Sequence, residues 1–230
     1  MRLRVSRAKY GYITAPTMGR SSFVIEKAHP HVLHKKLVST MKCAVIWDSK
    51  TGNTQTLGEA LTQDLASVDG IELVYAGPLH TATGSVAISN TALADTDAIL
   101  FGFWCDKGDC TTEAAQFLSN LTHQQLFLFG TAGFGGSAEY FNQILRRVKS
   151  HAPDTVTLLG ERMCQGKMGA SVRTRYEQML KADPDNSRVR AMLDNFDKAL
   201  SHPNSQDIAS VISAAHKALE LCSSERSSCQ

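Results

Sequence analysis

From Met41 onward, short apolar runs of strand length alternate with stretches whose apolar positions recur at helical spacing. Cys43-Ala44-Val45-Ile46-Trp47 is the first run, and Leu57, Ala60, Leu61 and Leu65 mark the first helix. Asp69-Gly70 turns into a second strand, Ile71 to Tyr75, after which the pattern loosens through Gly77-Pro78 and Gly84-Ser85. Ala98 to Trp104 is nearly all apolar, as a strand covered on both faces should be. Thr111 or Thr112 can cap a helix reaching Leu121. Gln125 to Gly130 is the next buried strand, and a helix with Tyr140, Phe141, Ile144, Leu145 and Val148 on one side follows it. Thr155 to Gly160 supplies a fifth strand. The alternation predicts a doubly wound α/β fold: five parallel strands, right-handed crossovers and helices on both faces.

Residues 170–200 carry two further helical patterns, split by Asp183-Pro184-Asp185-Asn186, which predicts a helical insertion before the last helix. Ser201 to Ser205 then turns into that helix, with Ile208, Val211, Ile212, Ala215 and Leu219 inward. One domain over 41–222 is expected, with 223–230 a frayed polar tail. Residues 1–40 hold eight Lys/Arg and one acid, Glu26, a net of +7 without sustained apolar periodicity. A disordered basic tail, an organelle-type transit segment and an over-called translation start compete as readings. The third is preferred, because Met41-Lys42 directly precedes the first strand. The remaining residues hold sixteen bases and twenty-one acids, a net of −5 that suits docking to a basic partner. No apolar run reaches the length of a membrane span. Six cysteines lack paired C-x-x-C spacing and no secretory signal is evident, so a cytoplasmic protein with reduced thiols is expected. Bases outside the leader do not cluster with aromatics, which argues against nucleic-acid binding.

Ser49-Lys50-Thr51-Gly52-Asn53-Thr54 lies where the first strand meets the first helix. Gly52 permits close backbone approach, and the N–H groups opening a helix point at whatever sits in the turn. Hydroxyls of Ser49, Thr51 and Thr54 and the Asn53 amide add neutral donors, a set suited to a phosphate. A plain helix cap is the competing use of these residue types. The spacing is neither that of a Walker loop nor that of a dinucleotide site. It resembles the FMN-phosphate loop of the flavodoxin family, Ser/Thr-x-Thr-Gly-x-Thr, at every defined position. The resemblance covers residues 41 to about 220. It implies a flavodoxin-like sheet binding FMN beyond the strands' carboxyl ends, and electron transfer to a partner reductase. The Gly-Phe-Trp-Cys-Asp-Lys-Gly stretch and the long insertion resemble a branch that accompanies bilirubin or other tetrapyrrole reductases.

Two more loops belong to that rim. After the third strand come Trp104, Cys105, Asp106, Lys107, Gly108, Asp109 and Cys110. The resemblance puts Trp104 against the flavin and a flipping peptide near Gly108, where positive φ costs nothing. Asp106 and Asp109 would disfavour a second negative charge on reduced flavin, or be plain solvated acids. After the fourth strand, Thr131, Ala132, Gly133, Phe134 and Gly135 offer backbone N–H groups and a second aromatic. Cys105 and Cys110 read as free or structural thiols rather than half of a metal site. An alternative function on the same fold is an FMN-dependent NAD(P)H:quinone or acceptor oxidoreductase, with the glycine loop and extra helices giving room above the ring. A phosphoacceptor receiver domain, using Asp48, Asp106 and Lys167, is disfavoured because no second acid neighbours Asp48. No nucleophile, general base or metal set is evident.

Overall fold

The computed structural model describes residues 40–80, 88, 93–135 and 137–228, the last eight of these by backbone alone. The basic leader up to residue 39, Gly84-Ser85 and the last two residues lie outside the described residues. In order come β1 (Met41–Trp47), α1 (Asn53–Leu65), β2 (Ile71–Pro78), β3 (Ala98–Trp104), α2 (Thr112–Ser119) and β4 (Gln125–Ala132). Then follow α3 (Ala138–Lys149), β5 (Thr157–Gln165), α4 (Ala170–Ala182), α5 (Ser187–Ala199) and α6 (Ser205–Ser228).

All five strands are parallel, in the order β2-β1-β3-β4-β5. The chain leaves β1 for one neighbour and returns to the other side through β3, so the strand order reverses between β1 and β3. In such sheets the crevice for a ligand opens there, beyond the strands' carboxyl ends. Side chains alternate across the sheet. Val45, Trp47, Leu100, Phe127 and Phe129 pack with Leu57, Leu61 and Leu65 of α1 and Val211, Ala215 and Leu219 of α6. Ala44, Ile46, Ile99, Phe101 and Leu128 face the other way, onto Phe117 and Leu118 of α2 and Ile144, Leu145 and Val148 of α3. Two apolar layers enclosing one sheet explain why β1, β3 and β4 read as continuous apolar runs.

Two helices, α4 and α5, precede the last one and are separated at Asp183 to Asn186. Boundaries moved elsewhere. The fifth strand was expected to stop at Gly160, yet it continues to Gln165. Glu161 and Arg162 look like a loop in sequence, but on an edge strand they stand exposed while Met163 and Cys164 turn inward. α6 runs its backbone past Cys222 to Ser228, through residues read as a frayed tail.

Candidate functional site

The turn after β1 does not use its polar residues to cap the helix. α2, α3 and α5 are each closed by a side chain, from Thr111, Ser137 and Asn186. α1 starts instead at Gly52, at φ 84°, with no side-chain cap bond. No acceptor among the described residues meets the N–H groups of Asn53, Thr54 or Gln55. Ser49 Oγ and Asn53 Oδ1 are buried without a partner. An uncapped helix start beside orphaned buried polar atoms is costly unless something occupies the turn. The rest of the turn is firmly held. Asn53 Nδ2 donates to Thr51 Oγ1 at 3.0 Å and to the Lys167 carbonyl at 2.8 Å, joining the loops after β1 and β5. Thr54 is fully buried, and its hydroxyl meets that of Thr131 at 2.9 Å, joining α1 to the end of β4.

Beyond β3 the chain makes a miniature hairpin. Asp106 and Asp109 exchange backbone hydrogen bonds of 2.7 and 3.0 Å around Lys107 (φ 51°) and Gly108 (φ 88°). Two central residues at positive φ are what a tight hairpin of this hand needs, and glycine supplies one without strain. Arg147 of α3 donates to the Gly108 carbonyl at 3.1 Å and braces the tip. Trp104 is half-buried, with the Lys50 ammonium 4.9 Å from its ring centre. After β4, Phe134 is 39% exposed, large for an aromatic with no outside role. Asn195 of α5 holds that loop from behind: Asn195 Nδ2 and Gln165 Nε2 each donate to the Gly133 carbonyl at 3.1 Å.

These loops meet in one cleft of about 780 Å³. Lys50, Thr51, Asn53, Trp104, Asp106, Lys107, Gly108, Thr131, Ala132, Gly133 and Phe134 line it. Ser49, Gly52, Thr54 and Gly135 do not; they lie behind it in the turn, the helix start and the tethered loop. The family model of the flavodoxin domain matches residues 44–216. The chain belongs to the flavodoxin family. Two curated flavodoxin-like domain-containing proteins named BilS are similar to it. The one from Clostridium symbiosum (strain WAL-14163) is 36% identical over 74% of this chain and 91% of that protein. The one from Clostridioides difficile (strain CD3) is 30% identical over 73% and 90%. Among solved structures, oxidised flavodoxin 2 from Bacillus cereus aligns at TM-score 0.47 and 14% identity, over 78% of this chain and 98% of that one.

Two helices add a wall to the cleft of this family member. Val172, Arg175 and buried Tyr176 of α4 line it, as do Tyr140, Gln143 and Arg147 of α3. Sequence reading missed these, because helix residues facing a cleft share the periodicity of residues facing a core. The receiver-type trio is not assembled: Asp106 and Lys167 line the cleft, but Asp48 does not. Asp48 accepts instead from the Thr111 hydroxyl at 2.6 Å, and burial raises its carboxyl above the usual range. Asp109 also leaves the cleft, its carboxylate 3.1 Å from His151 Nε2.

Cys105, Cys110 and Cys164 form no disulfide. Cys105 and Tyr140 both line the cleft, and burial raises the Cys105 thiol. Asp109, Cys110 and His151 bring three ligand-type atoms within 4.8 Å of one another. Asp109 and His151 already satisfy each other there, and burial pushes the Cys110 thiol up to about 12, which holds it protonated. No helix among the described residues is long and apolar enough to cross a membrane.

Proposed function

We propose that the chain binds FMN in this cleft and carries electrons to a partner reductase. The observation behind the proposal is the uncapped start of α1, with Ser49 Oγ and Asn53 Oδ1 buried and unpaired around it. Donors left vacant at a helix N-terminus fit a dianionic phosphate ester, with no acidic side chain in the helix's first turn to oppose it. Ser49, Lys50, Thr51, Gly52, Asn53 and Thr54 would hold the phosphate, Thr54 through its backbone since its hydroxyl is committed to Thr131. Trp104 and Phe134 offer flat surfaces for the ring. The Asp106-Lys107-Gly108 tip and the backbone of Thr131, Ala132, Gly133 and Gly135 offer polar groups for its edge. Bound FMN supplies the reversible electron chemistry, and the side chains named here bind, orient and shield it. Thr131 lines the cleft from the end of β4, so its tie to Thr54 holds the start of α1 against that strand end, where the phosphate would sit.

A tetrapyrrole reductase is the partner class that the Gly102 to Gly108 stretch and the helical insertion favour by resemblance. The wall contributed by α4 supports a second reading, a flavin-dependent NAD(P)H:acceptor reductase, because it encloses space that a second substrate needs. One experiment separates them. The FMN-loaded chain is mixed anaerobically with NADPH and no other protein. A carrier leaves the flavin oxidised and passes electrons on only after reduction from another source. Rapid bleaching by NADPH alone would establish the reductase instead.

A further inference from the structure

We infer that the cleft mouth is a cationic docking face for an acidic surface of the redox partner, an inference that rests on the electron-carrier reading above. Lys50, Lys107, Arg147, Lys167 and Arg175 line the cleft, and Asp106 is the one acid with them. That is a net of +4 at the mouth of a region that carries −5 overall, leaving −9 for the rest of it. The acidic balance expected to meet a basic partner therefore lies away from the opening, and the opening has the reverse sign.

The five bases come from five separate segments: the turn after β1, the hairpin after β3, α3, the loop after β5, and α4 of the insertion. All five side chains are exposed. None makes an ion pair among the described residues, whereas Arg173 and Arg190 nearby on the insertion do. One base at the turn is enough to face a phosphate, so four are left over. The deeper wall, from Asn53, Thr131, Ala132, Gly166 and Tyr176, carries no charge. Exposed bases spread over a rim suit the dispersed carboxylates of a protein face. A small anion would instead be gripped by a buried, hydrogen-bonded base. Complementary charge steers encounter and turns the partner toward the edge where electrons leave.

The test needs no partner. Full-length chain is loaded with FMN, reduced anaerobically and mixed with ferricyanide, an anion, or hexaammineruthenium(III), a cation. Each oxidant takes one electron, so two are consumed per flavin, and the protons released go to solvent. Between about 10 and 200 mM NaCl the ferricyanide rate should fall about tenfold while the ruthenium rate rises. Lys167→Glu with Arg175→Glu takes that +4 to zero and should flatten both trends. Lys149→Glu with Lys217→Glu, the same charge change on other helices, should leave them; the leader's charge is common to all variants. A ferricyanide rate that is flat or rises with salt overturns the inference, as does an equal effect of the two variant pairs. Should the first pair fail to fold, Lys167→Gln with Arg175→Gln replaces it, with both trends weakened by about half. If the chain retains no FMN, the carrier reading fails on its own. Fluorescein-labelled hexaglutamate then reads the charge on the flavin-free chain by anisotropy. Weaker binding to the cleft variant than to the other pair supports the inference, and equal binding overturns it.

Discussion

Gly166 and Asn53 offer the sharpest perturbation, because two loops are locked through them. A methyl group on Gly166 would sit 2.7 Å from Asn53 Nδ2, 3.0 Å from its Cγ and 3.1 Å from its Cβ. The amide cannot swing aside, since it donates to Lys167 and Thr51. Gly166→Ala should therefore push on the turn after β1, at the ~1–3 kcal/mol typical of overpacking. Asn53→Ala alone removes two donated hydrogen bonds, each worth ~0.5–1.5 kcal/mol. In the double variant the amide nitrogen and Cγ are gone, leaving only the 3.1 Å contact. The second substitution should then cost at least ~1 kcal/mol less than it does alone, a coupling in the range seen for touching residues. Urea unfolding of the four proteins, followed by tryptophan fluorescence, measures this directly. Additivity within about 0.5 kcal/mol would refute the claim that these side chains clamp the turn.

Gly52→Ala meets no neighbouring atom, so only its left-handed backbone is penalised. It should cost ~1–2 kcal/mol and lower the melting temperature by ~2–4 °C per kcal/mol. Asn195→Ala should speed amide hydrogen exchange at Gly133 and Gly135 while leaving α1 unchanged; equal protection would remove Asn195 from its supporting role. Burial holds the Cys110 and Cys164 thiols at about 12, above the ordinary 9.0. Above pH ~9 the unfolded chain loses those protons while the folded chain keeps them, so this stability is full below pH 9 and is lost toward pH 12. Urea midpoints from pH 8.5 to 11 should thus fall less steeply for the Cys110→Ser, Cys164→Ser double variant than for the parent.

The sheet was legible because strands buried on both faces leave an uninterrupted apolar signature, and β1, β3 and β4 carry it. β5 was legible only in part: an edge strand places Glu161 and Arg162 in solvent, where polarity mimics a loop. The turn after β1 was legible as a candidate site because its residues are contiguous. The α4 wall was not, since Arg175 and Tyr176 reach the cleft through a packing of the insertion that no local pattern encodes. Asn195 is the same case at longer range, reaching back 62 residues to the Gly133 carbonyl. Charge was legible only as a sum: a net value describes composition, whereas the fold gathers bases from five segments at one opening.

The vacant donors at the start of α1 are the centre of the account, and one measurement addresses them. The full-length chain is mixed with excess FMN, desalted, and its visible absorption compared with its protein content. Close to one flavin per chain is expected, falling when Ser49→Ala and Asn53→Ala are combined. A colourless chain, or one that retains riboflavin as well as it retains FMN, would contradict a phosphate-anchored site.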